Sequence, residues 1–113
     1  MHETALAAGV IDIVRDALRE RPAERVAVVR LSIGGLSHVE PRALEFCFDA
    51  AARGTPAEGA RLAIDRPPGR AHCLTCDREV GLASRADACP GCGGHRLLVT
   101  GGEEMRVTEL ELA

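Results

Sequence analysis

The chain has 113 residues, 17 acidic against 14 basic, a formal net charge of −3, no Trp or Tyr, and two Phe. That is one domain's worth of length, without the basic footprint or aromatic stacking platform of a nucleic-acid binder. No apolar run approaches the roughly 18 residues of a membrane span.

From Thr4 onward, Leu6, Val10, Ile13, Val14, Ala17 and Leu18 recur at helical spacing, with Asp12, Arg15, Asp16, Arg19 and Glu20 opposite. The pattern predicts an amphipathic helix capped by Thr4 and stopped at Arg21-Pro22, with the first three residues projecting as a free arm. Arg25 to Ile33 alternates, which predicts a strand with Ala27, Val29, Leu31 and Ile33 towards the core. After Gly34-Gly35, Pro41 suits the first turn of a second helix, whose shared face is Leu44, Cys47, Phe48 and Ala51. Cys47 reads as a small buried hydrophobe. Gly54 falls where a left-handed cap belongs, and Ala60 to Asp65 reads as a short strand. Strand, helix and strand with short joins predict a right-handed crossover and a parallel pair.

Arg66-Pro67-Pro68-Gly69 is stiff and turn-rich, a place for the chain to leave this core, and Gly101-Gly102 marks the return. Met105, Val107, Leu110 and Leu112 then form a last strand whose apolar phase slips by one residue near Thr108-Glu109, as a bulge requires. The expected fold class is α+β: two helices packed on a small three-stranded mixed sheet, with an inserted four-cysteine zinc-ribbon module. The expected domains are 1–66 with 102–113, and 67–101.

Within the insertion, Cys73-Leu-Thr-Cys76 is followed after twelve residues by Cys89-Pro-Gly-Cys92. Two such turns supply the four soft sulfur ligands of a structural, tetrahedral Zn²⁺. Pro90 fixes one backbone angle, and Gly91, Gly93 and Gly94 permit positive φ values that fold N–H groups back towards sulfur. Two disulfides would suit a secreted chain, but Met1-His2-Glu3 has no basic region before the apolar residues, so a reducing compartment is expected. A thioredoxin-like pair would open a helix after a strand, whereas both pairs here lie in Gly- and Pro-rich stretches. A zinc hydrolase needs an open coordination position, which four thiolates deny.

The opening Met1-His2-Glu3 offers an amine, backbone nitrogens, an imidazole and a carboxylate within three residues. Nitrogen donors held nearly in one plane suit square-planar or tetragonal Ni²⁺ or Cu²⁺ better than tetrahedral zinc. An N-terminal histidine taken alone is otherwise a frayed, solvated residue. His38, His72 and His95 read as surface loop residues. His72 and His95 flank the cysteines closely enough to suggest exchange with thiolates as pH falls.

The opening Met1-His2-Glu3, the segment Ile33-Gly-Gly-Leu-Ser-His-Val-Glu-Pro41, Glu58-Gly-Ala-Arg-Leu62 and the two Cys pairs together form one pattern along the whole chain. It resembles the HypA/HybF family of hydrogenase nickel-incorporation proteins. The resemblance implies a non-enzymatic, cytoplasmic nickel metallochaperone that works with a HypB-type GTPase to load the [NiFe]-hydrogenase large subunit. It implies nickel at His2 with the Glu3 backbone or side chain, and zinc at Cys73, Cys76, Cys89 and Cys92. Glu40 is a further nickel candidate, at a helix start where a carboxylate also favours the dipole and can cap. Asp77 stands where the family carries a glycine after the second cysteine. The alternative is a zinc-ribbon adaptor binding protein or nucleic acid, in which His2 would play no part; the missing basic patch counts against it.

Overall fold

The computed structural model describes residues 2–113, which form eight elements. Helix α1 spans Glu3–Glu20 and helix α2 Pro41–Ala52. Strands β1 (Val26–Ile33), β2 (Arg61–Asp65) and β6 (Met105–Leu112) make a three-stranded mixed sheet in the order β2-β1-β6. Strands β3 (Gly69–Cys73), β4 (Arg78–Leu82) and β5 (Leu97–Gly101) make a second sheet in the order β4-β3-β5. The chain divides into two compact units. One holds the chain up to Leu31, His38–Ile64 and Val107–Ala113; the other holds Ser32–Ser37 and Asp65–Arg106.

In the first unit, α1 starts at Glu3, earlier than the sequence pattern suggested, with His2 at the N-cap and no side-chain cap. Its ladder begins with the Leu6 N–H donating to His2 O at 2.9 Å. Thr4 does not cap the helix; its hydroxyl lies 3.5 Å from Cys47 Sγ of α2. The earlier start has a tertiary cause. Glu3 is only 5% exposed, and its carboxylate accepts the backbone N–H of Glu40 at 3.0 Å, pinning the first turn of α1 beside the start of α2. A free arm of three residues is therefore too long, since Glu3 belongs to the helix.

The buried stripe of α1 is Ala7, Val10, Ile11 and Val14, whereas Ile13 is 47% exposed. The pattern of apolar residues thus misplaced the stripe by part of a turn, because Ile11 and Ile13 lie on opposite sides of the helix and it is Ile11 that faces the core. On α2, Leu44, Phe48 and Ala52 are buried and Cys47 is half-buried. Glu40 caps this helix by accepting the Arg42 N–H at 3.1 Å, with Pro41 at the first helical position. Gly54 adopts φ +76° after the helix, and its N–H is taken by Glu58 Oε1 at 2.8 Å.

Strand β1 is central in its sheet and is covered on both faces. Val26, Val28, Val29, Leu31 and Ile33 are all buried, while Ala27, expected inside, is exposed. A strand covered on both faces need not show the clean two-residue period of a half-exposed one.

The second unit contains structure that hydropathy did not reveal. β3 pairs antiparallel with β4, Cys73 opposite Arg78, and antiparallel with β5, Cys73 opposite Leu97. The register to β5 shifts between Arg70 and Ala71. Leu36, Ala71, Val80 and Leu82 form one cluster with Cys73 and Cys89, so the cysteines are part of this unit's core.

Candidate metal centres

Both Cys turns are built to one plan. In the first, the Cys76 N–H donates to Cys73 Sγ at 3.3 Å and the Asp77 N–H to Cys73 O at 2.7 Å. In the second, the Gly91 N–H donates to Cys89 Sγ at 3.3 Å, and the Gly93 N–H to Cys89 O at 2.8 Å. Gly94 adds an N–H to Cys92 Sγ at 3.4 Å. The residue after each second cysteine takes the left-handed conformation, Gly93 at φ +74° and Asp77 at φ +53°. Gly91 and Gly94, expected to share this role, do not. Asp77 can stand in for glycine because short polar side chains tolerate that region, and its carboxylate meets His72 Nε2 at 3.0 Å.

The turns bring all four sulfurs within 4.8 Å of one another. Cys73 Sγ and Cys92 Sγ are 3.8 Å apart, and Cys76 Sγ and Cys89 Sγ 3.9 Å. A disulfide would need about 2.05 Å. Tetrahedral Zn²⁺ with bonds of about 2.3 Å has sulfur–sulfur edges of about 3.8 Å, so the donor set fits that ion. Cys73 and Cys89 are buried, Cys76 is half-buried, and Cys92 is exposed.

The thiols are not equivalent. Backbone N–H groups of Cys92 and Gly91 pull Cys89 down from 9.0 to about 6, while the neighbouring Cys92 thiol, followed by burial, pushes Cys76 up to about 12. Of these two thiols, Cys89 gives up its proton to a binding cation more readily than Cys76. His72 turns to Asp77, and His95 is exposed in the loop before β5.

The nickel candidates lie in the first unit. His2 is exposed at the head of α1, directly before the buried Glu3. Glu3 and Glu40 are brought together, but through the Glu3 carboxylate and the Glu40 backbone N–H. Glu40 is itself engaged at the N-terminus of α2 through Oε1. The proximity of these two glutamates, distant in sequence by 37 positions, had no local signal.

The model of the family described as hydrogenase/urease nickel incorporation, metallochaperone, HypA, matches residues 1–112. The chain belongs to the HypA family. Among similar proteins are the hydrogenase maturation factor HypA 2 of Bradyrhizobium diazoefficiens, 54% identical, and the HypA of Azotobacter chroococcum, 49% identical. Each comparison covers 99% of both chains. The solution structure of the Ni metallochaperone HypA from Helicobacter pylori superposes with a TM-score of 0.69 over 99% of this chain and 97% of that one; at 21% identity it speaks to the fold. The two helices, the mixed three-stranded sheet and the clustered cysteines match that HypA architecture. Membership of HypA makes the chain a nickel metallochaperone of hydrogenase maturation, and the adaptor alternative is not favoured. Among the described residues, no helix is long and apolar enough to cross a membrane.

Proposed function

We propose that the protein takes up Ni²⁺ at its N-terminus, holds Zn²⁺ at Cys73, Cys76, Cys89 and Cys92, and passes nickel to the [NiFe]-hydrogenase large subunit with a HypB-type GTPase. Nickel is the cargo and zinc the resident structural ion. The nickel donors are the His2 imidazole with nitrogens of the first three residues, a set that suits a tetragonal ion. Met1 lies outside the described residues, so its amine enters on chemistry alone.

The observation that carries this reading is the burial of Glu3. Its carboxylate is committed to the Glu40 N–H, which favours its backbone over its side chain as the nickel donor and leaves His2 exposed on an anchored helix start. Glu40 acts first as a cap; ligation through Oε1 would require it to release the Arg42 N–H. A carrier needs a site that can give its ion away, and an exposed terminus meets that need better than a closed four-sulfur shell. On this reading residues 1–66 with 102–113 form the nickel domain and 67–101 the zinc domain. The protein works in the reducing cytoplasm without catalysing a reaction.

The test is a Ni²⁺ titration of three forms: the protein with its native start, His2→Ala, and a form with residues added before Met1. Tight binding is expected in the first alone. Equal tight binding by all three would refute the N-terminal site.

A further inference from the structure

Gly91 was expected to serve the second Cys turn through a positive φ, yet it does not adopt one. Its lack of a side chain has a different use. A Cβ at Gly91 would lie 2.5 Å from Arg78 Nη2, 3.5 Å from Arg78 Cζ and 3.6 Å from Cys76 Sγ. The guanidinium of β4 therefore occupies the space above Gly91, and a sulfur of the four-cysteine centre borders the same point. Register places Arg78 there, since it lies opposite Cys73 across the β3–β4 pair.

Two arginines of the second unit have carboxylate partners. Arg70 faces Glu79 at 3.9 Å, Arg85 pairs with Glu103, and in the first unit Arg19 pairs with Asp16 at 2.9 Å. Among the described residues no carboxylate pairs with Arg78. Its neighbour Asp77 is turned to His72, and Glu79 is taken by Arg70 and Thr100. The uncommitted negative charge beside Arg78 is the sulfur cluster itself. Four thiolates around one dication carry a formal charge of about −2, and a guanidinium stays protonated throughout the working pH range.

We propose that Arg78, seated over Gly91, is the counter-ion of the four-sulfur centre and sets how readily that centre gives up its zinc. The proposal rests on the reading that these cysteines hold zinc. Arg78 is a positioning residue and not a ligand. It lowers the electrostatic cost of gathering four thiolates around one ion and so opposes loss of that ion to a competing chelator. Any residue larger than glycine at position 91 would displace the guanidinium. Only the far end of a flexible side chain must move to admit a methyl group there, so Gly91→Ala tests the contact without breaking the turn.

Zinc content of the purified full chain is measured first; a wild-type protein that holds no zinc would overturn the zinc reading and this proposal with it. Zinc transfer to 4-(2-pyridylazo)resorcinol is then followed in wild type, Arg78→Gln, Arg78→Lys and Gly91→Ala. At low salt, Arg78→Gln and Gly91→Ala are expected to release zinc faster by on the order of tenfold, and Arg78→Lys within about twofold of wild type. These differences shrink at about 1 M salt, where the Debye length is about 3 Å, whereas a packing defect would persist. Zinc-loaded wild type and Arg78→Gln releasing at one rate would overturn the proposal while leaving the zinc reading intact. So would Arg78→Lys behaving like Arg78→Gln.

Discussion

The chemistry of single residues here depends on which backbone groups reach them. Glu3 and His2 are adjacent, yet one carboxylate is buried against the Glu40 N–H and one imidazole is exposed. Cys89 and Cys76 are both thiols of one cluster, and their protons behave in opposite senses. The pKa of Cys89 falls to about 6, below its ordinary 9.0, so its contribution to folded stability is complete above pH 9 and is lost as pH falls through about 6. Cys76 is raised to about 12, so its contribution is complete below pH 9 and is lost as pH rises through about 12. For these two thiols, the stability of the metal-free protein should therefore climb between pH 6 and pH 9. Urea midpoints across that range, for wild type and Cys89→Ser, provide the check. The climb should weaken in Cys89→Ser, and identical pH profiles would remove the role given to Cys89.

At the scale of elements, the two Cys turns share the bond from the N–H after the second cysteine to the carbonyl of the first, but differ in the residue that takes the left-handed position. Nothing stands within 4 Å of a Cβ built at Gly93, so Gly93→Ala isolates the conformational cost. That substitution should lower the stability of the metal-loaded protein by about 1–2 kcal/mol, read as a shift in denaturation midpoint. An unchanged midpoint would show that φ +74° is not enforced there. The helices show the converse effect, in which packing overrules local signals. Thr4 is the better intrinsic cap, yet α1 starts at Glu3 because the buried carboxylate is satisfied by Glu40.

For the molecule as a whole, the two units are held by different means. The first has an apolar core that includes Val14, Val29, Leu44 and Phe48, all nearly fully buried. In the second, Cys73 and Cys89 belong to a buried cluster with Leu36, Ala71, Val80 and Leu82, so metal donors and core coincide. Removing the metal with a strong chelator should cost amide protection at residues 71–73 and 80–82 while α1 and α2 keep theirs. Hydrogen exchange of the loaded and stripped protein measures this, and equal loss across both units would contradict it.

Spacing alone disclosed the four-sulfur centre, since a Cys-x-x-Cys turn places its two thiolates through local backbone geometry and needs no knowledge of the rest of the chain. Local patterning likewise disclosed both helices, the strands β1, β2 and β6, and Gly54 as a cap. Strand β3 was not legible, because Gly69, Ala71 and Cys73 bury one face without the branched or aromatic residues that mark a strand. Three matters were decided only by the tertiary structure: the commitment of Glu3 to Glu40, the left-handed Asp77, and the seat of Arg78 over Gly91. Each depends on a contact or backbone angle that folding creates, and for Glu3 and Arg78 the partners are distant in sequence. The spacing of cysteines can be read along the chain, but where a carboxylate or a guanidinium comes to rest cannot.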